Sequence, residues 1–242
     1  ALMVGLSGVA SWWKIFTGKA DVVESVDANA QVFAGQDGWL FSGRVQIIPD
    51  RIASCTYLLA GVITNGEVTV TDVQPQHFDS LLAKLEEADV SYECQENSVT
   101  VYPSRGRLKK LSVKTMPYPG FPTDVQPQLM AALCLAKGTS VIKESIFESR
   151  FQHVAELRKM GAAIEIQGNT AVINGVPALY GASVQGTDLR AGAALVLAGL
   201  AAEGETRVYG LHHILRGYEN FDRALQGLGA KVSVAEEDES SL

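Results

Sequence analysis

Three arginines, Arg150, Arg190 and Arg216, sit in the short polar turns FESR, TDLR and LRGY. A planar guanidinium presents paired N–H donors that match phosphate and carboxylate oxygens two at a time, so this set reads as a receptor for small anions. Aspartates stand near them. Asp124 follows Pro122 and Thr123 just before an apolar run, the position of a helix N-cap or first-turn carboxylate. Asp188 precedes Arg190 in its turn and is placed either to pair with it structurally or to act on a substrate directly. Asp50 and Arg51, in PDRI, repeat this arrangement earlier in the chain. His153, His212 and His213 do not complete a ligand set at metal-binding spacing, and no metal or other cofactor is expected. Cys55, Cys94 and Cys134 form no CxxC motif. Such an odd, scattered set suits a reducing, cytoplasmic setting rather than a disulfide framework.

The surroundings of these residues are apolar and slightly acidic. Twenty Lys+Arg against 27 Asp+Glu give a formal charge of −7, with 47% hydrophobic and 19% charged residues. That composition excludes a disordered chain, and the charge sign with no long basic run argues against nucleic-acid and membrane-surface partners. Local arginines are then the only way to draw anions in. The most apolar stretch, Ala1 to Phe16, meets Lys14 before reaching the roughly 20 residues that cross a bilayer, and it lacks the basic start of a signal peptide. The first residue is not Met, and a piece of a longer chain is expected.

Internal repetition supplies the elements that must position the site. Asp50, Asp124 and Asp188 recur roughly every 70 residues, longer than most solenoid repeats and closer to a whole supersecondary module. Each opens a helix that is apolar nearly all round and must therefore be buried. A strand follows, then an amphipathic helix (FDSLLAKLEEADV, FQHVAELRKMGA, FDRALQGLGA), then further strand such as Thr170 to Asn174. Gly161 and Gly229 close two of the second helices where a left-handed residue is expected, and Asp89 stands near that place in the first. Each module reads β-α-β-α-β-β, and three of them would enclose a helical core with sheets outside. Residues 1–45 lack the Asp-led helix; strands are expected at Ala20–Val26 and across Trp39–Pro49.

Four long segments carry a resemblance: PYPGFPTDVQPQ (Pro117–Gln128), ESIFESRFQHVAELRKMGA (Glu144–Ala162), TDLRAGAALVLAG (Thr187–Gly199) and HHILRGYENFDRALQGLGA (His212–Ala230). They resemble the UDP-N-acetylglucosamine enolpyruvyl transferase family, from about Ile47 to Val232. The resemblance implies an inside-out α/β barrel of repeated βαβαββ units, with residues 46–242 forming one three-unit domain. Residues 1–45 would be a diverged remnant of the first, catalytic-loop domain. It also implies transfer of the enolpyruvyl group of phosphoenolpyruvate to the 3′-hydroxyl of UDP-N-acetylglucosamine. That is the first committed step of peptidoglycan synthesis in the cytoplasm, and so bears on cell-wall biogenesis, cell shape and division.

By the same resemblance, Asp124 contacts the sugar 3′-hydroxyl and accepts its proton, Arg216 binds phosphoenolpyruvate from a loop, and Arg150 and Arg190 line the cleft. Ile146 and Phe147 match positions that contact the nucleotide sugar, although core packing fits their types as well. Asp188 is a further catalytic candidate. The family's catalytic cysteine lies on a Gly-rich loop that none of Cys55, Cys94 and Cys134 matches, and its N-terminal Lys-Asn pair has no counterpart. Activity is therefore expected to require a missing N-terminal domain. The alternative is a non-catalytic nucleotide-sugar binding module or decayed paralogue.

Overall fold

The computed structural model describes residues 2–5, 13–15 and 48–235. The strand expected at Ala20–Val26 lies outside these, as does most of that across Trp39–Pro49, whose last two residues are irregular. The first strands are β1 (Leu2–Gly5) and β2 (Trp13–Ile15), followed by α1 (Arg51–Thr64), β3 (Val68–Thr71), α2 (Asp79–Glu87), β4 (Tyr92–Cys94) and β5 (Ser98–Val101). The second unit runs β6 (Ser112–Lys114), α3 (Gln126–Leu133), β7 (Thr139–Lys143), α4 (His153–Lys159), β8 (Ala163–Gln167) and β9 (Thr170–Asn174). The third runs β10 (Ser183–Gln185), α5 (Leu189–Ala201), β11 (Thr206–Tyr209), α6 (Leu211–Ile214), α7 (Phe221–Gly227) and β12 (Lys231–Val234).

Three four-stranded sheets result, ordered β2-β3-β5-β4, β6-β7-β9-β8 and β10-β11-β1-β12. Each has one parallel pair followed by two antiparallel pairs. In the third sheet β1 holds the place that β5 and β9 hold in the others, with Leu2 opposite both Val208 and Val234. Residues ahead of the three units thus supply strands to two of their sheets. Alternation in β3, β7 and β11 turns one face of each sheet inward.

The helices α1, α3 and α5 pack on one another inside these sheets. Their composition explains why: α3 buries every residue from Gln126 to Leu133, and α5 every residue from Ala191 to Leu200. A helix apolar on all sides finds no stable place at a surface. Small residues set the spacing. A Cβ added at Gly61 in α1 would lie 2.8 Å from Val68 Cγ2 of β3, and one at Gly199 in α5 would lie 3.1 Å from Thr206 Cβ of β11. The second helices of the units end as the sequence implies, with Asp89, Gly161 and Gly229 all at positive φ. Among the described residues no helix is long and apolar enough to cross a membrane.

Candidate active site

The three core helices begin differently, and the difference creates the site. Asp50 and Asp188 are extended N-cap residues, each accepting hydrogen bonds from the two backbone N–H groups that cap α1 and α5. In the second unit Pro122 takes the extended position, and the chain makes a 3₁₀ turn, Thr123–Val125, before α3 starts. Asp124 therefore falls inside the turn and makes no cap: of the two places its sequence position suggests, it takes that of a first-turn carboxylate. Its carboxylate is free to project outward.

Two arginines hold it there. Arg150 Nη2 donates to Asp124 Oδ1 at 2.7 Å, and Arg190 Nη2 donates to Oδ2 at 3.3 Å. Both arginines are largely buried, while the Asp124 side chain is 40% exposed. The arrangement is an open carboxylate with a cation against each oxygen, made from the start of α3, the β7–α4 loop and the first turn of α5. Burial opposes the charge of Arg190, but neighbouring Tyr218 and Asp124 outweigh it and hold its pKa above the ordinary value. The Asp188–Arg190 ion pair, one of the two roles the TDLR turn offered Asp188, is not formed: Asp188 Oδ1 accepts from Arg190 N and Ala191 N at 2.8 Å each, and the guanidinium turns to Asp124 instead.

The flanking loop is organised by a residue that sequence reasoning passed over. Glu144, only 1% exposed, accepts from Thr115 Oγ1 (2.7 Å), Thr123 Oγ1 (2.9 Å), Ile146 N (2.8 Å) and Phe147 N (3.3 Å). Four donors satisfy a carboxylate that burial would otherwise penalise. The same bonds tie the Asp124 turn to the Ile146–Phe147 backbone. Ile146 and Phe147 are themselves exposed, so core packing is not their role, and the Phe147 ring lies 5.3 Å from the Arg150 guanidinium carbon. Arg51 rests over the Tyr118 ring at 4.8 Å. Arg216 is exposed on the turn after α6, with no ion pair to another described residue.

Other candidates separate from this cluster. His153 is buried beneath it; burial, opposed by nearby Asp188, pushes its pKa down to about 4, leaving a neutral imidazole. The His212 and His213 rings in α6 lie 4.0 Å apart and tilted by 41°, and among the described residues no His, Cys, Asp or Glu group could hold a metal ion. Burial pushes the Cys55 thiol up, and that of Cys134 up to about 12; Cys94 lies on β4 in an outer sheet.

Sequence reasoning also missed Thr56, Gln128 and Tyr218, which are hydrogen-bonded to one another in the core. The available signal was the presence of Thr and Gln inside helices otherwise apolar on every side, since buried polar groups need partners.

With the fold and this geometry in hand, comparison with known proteins is decisive. Residues 18–225 match the family described as EPSP synthase (3-phosphoshikimate 1-carboxyvinyltransferase). The chain belongs to the EPSP synthase family. Within it, the chain is 52% identical over 186 residues to UDP-N-acetylglucosamine 1-carboxyvinyltransferase of Clostridium botulinum (strain ATCC 19397 / Type A), covering 77% of this chain and 44% of that one. It is 50% identical over 198 residues to the protein of the same name from Desulfofundulus thermocisternus, covering 82% and 81%. The chain thus spans less than half the length of the Clostridium relative. Among solved structures, the enolpyruvyl transferase NikO from Streptomyces tendae superposes with a TM-score of 0.72 at 29% identity, over 78% of this chain and 45% of that one. The inside-out α/β architecture is therefore that of the enolpyruvyl transferases.

Proposed function

We propose that this EPSP synthase family chain binds UDP-N-acetylglucosamine and supplies the base for its 3′-hydroxyl in transfer of an enolpyruvyl group from phosphoenolpyruvate. The observation that carries this reading is Asp124, released from helix capping and held open between Arg150 and Arg190. A carboxylate fixed in this way can accept a hydroxyl proton within hydrogen-bond reach. The deprotonating oxygen bonds to C2 of phosphoenolpyruvate while its methylene carbon takes up a proton. Loss of a proton from that carbon then restores the double bond and expels phosphate. Arg216, exposed on its turn, suits the phosphate or carboxylate of phosphoenolpyruvate, and Arg150 and Arg190 add positive charge along the cleft.

Ile146 and Phe147 offer backbone and ring to the nucleotide sugar, and Asp188 acts by fixing the first turn that carries Arg190. The proton donor to the methylene carbon is not assigned to this chain's cysteines, because two are buried and the third lies on β4, an element that contributes none of the residues around Asp124. That donor is assigned to the remainder of the longer relatives. The reaction would open peptidoglycan precursor synthesis in the cytoplasm.

Calorimetric titration tests the reading. Saturable binding of UDP-N-acetylglucosamine is expected, weakened about tenfold in Asp124→Asn, the loss of one charge-assisted hydrogen bond. Phosphate release from phosphoenolpyruvate is expected only after the other half of the Clostridium relative is fused to this chain. Absence of binding contradicts the reading; binding with no release by the fusion favours a non-catalytic binding module.

A further inference from the structure

Below the candidate base the three core helices meet at a single hydroxyl. Tyr218 is 2% exposed, and its ring packs on Phe221 with centroids 4.7 Å apart. Its Oη lies 2.8 Å from Thr56 Oγ1 on α1, 3.3 Å from Gln128 Nε2 on α3 and 3.3 Å from Arg190 Nη1 on α5. The direction of these bonds follows from the inventory of protons. Thr56 Oγ1 spends its own hydrogen on Ile52 O at 2.9 Å and accepts from Gln128 Nε2 at 3.1 Å. The Tyr218 hydroxyl must therefore donate to Thr56, which leaves its lone pairs to Gln128 and Arg190. Burial raises the pKa of Tyr218 further than the hydrogen bonds lower it, so the donated proton stays in place at neutral pH.

Arg190 is thus held through two different nitrogens, Nη1 by the Tyr218 hydroxyl and Nη2 by Asp124. Two contacts on separate arms of a planar group fix its rotation, whereas one would leave it free to swing. We propose that Tyr218 is a positioning residue, which orients the Arg190 guanidinium and through it the Asp124 carboxylate without touching substrate. The assignment rests on the reading of Asp124 as the substrate-facing carboxylate. It also gives a purpose to Thr56 and Gln128, polar side chains that an apolar helix core would otherwise exclude.

The test is Tyr218→Phe, which keeps the ring and removes the hydroxyl. Side-chain nitrogen NMR of the whole chain should show Arg190 Nη protons resolved in the wild type, with rotation about the guanidinium at least about tenfold faster in the variant. Thr56→Val, which removes the acceptor of the Tyr218 proton, should loosen Arg190 in the same sense and serves if Tyr218→Phe does not fold. Ile173→Val in β9, a core truncation away from the cluster, should lower stability and leave Arg190 unchanged. Affinity for UDP-N-acetylglucosamine should fall about tenfold in Tyr218→Phe, and adding Tyr218→Phe to Arg190→Lys should produce little further loss. Unchanged Arg190 order in both hydroxyl variants overturns the proposal, as does equal loosening in Ile173→Val. Wild-type chain that shows an ordered Arg190 but binds no nucleotide sugar instead overturns the proposed function, and leaves standing only the ordering of Arg190 by Tyr218.

Discussion

His153 shows how closely the residues under the site are matched to a neutral environment. Its pKa is held down to about 4, chiefly by burial, against an ordinary 6.5. An unfolded chain takes up this proton below pH 6.5, whereas the native one resists until about pH 4. Stability from neutral burial is therefore complete above pH 6.5 and is lost as pH falls to about 4, amounting to about 3 kcal/mol. Urea unfolding at pH 7.5 and pH 4.5 should show a larger fall in the wild type than in His153→Gln, which has no such proton to take up. Equal falls would place the acid sensitivity elsewhere. The candidate arginines stood out at this scale because their turns are distinctive, whereas Asp124, whose type and place suit a helix start equally well, was marked only by the resemblance of its segment. Glu144 was not, since nothing in a sequence tells a four-donor buried carboxylate from a solvated one.

At the scale of elements, the N-terminal aspartates divide into two kinds. Asp50 and Asp188 cap their helices, so Asp50→Ala and Asp188→Ala should each cost about 1 kcal/mol in urea unfolding, and serine at either position should restore most of it. Nucleotide-sugar affinity in Asp188→Ser then tests whether Asp188 acts by capping, as proposed, or by touching the substrate. Retained affinity assigns it to capping, and lost affinity at full stability assigns it a direct contact. The repeat of buried helix, strand, amphipathic helix and strand was readable from apolar periodicity, and the left-handed closures at Asp89, Gly161 and Gly229 from residue type. The departure of Asp124 from its counterparts was hidden. It depends on Pro122 assuming the extended position, which moves the helix start past the aspartate, a difference of a few residues in a boundary that periodicity does not resolve.

At the scale of the whole molecule, the ring of three sheets is completed by strands from far along the chain. Among the described residues, β12 pairs only with β1, and β1 also joins it to β11. Deleting residues 1–5 should leave β12 unpaired and expose the edge of β11, lowering the urea midpoint and promoting self-association visible by size-exclusion chromatography. An unchanged midpoint would mean that the third sheet is stable without β1. This pairing was not legible in the sequence, because strands two hundred residues apart leave no local signal and β1 carries none of the repeat's markers. What ties residue, element and molecule together is one claim: the open carboxylate of Asp124, set between arginines from two units, is where the nucleotide sugar is received. Hydrogen exchange of the chain with and without saturating UDP-N-acetylglucosamine measures this most directly. Protection is expected in the turns at 115–126, 145–150 and 187–190, while protection confined to the outer sheets, or none at all, would contradict the account.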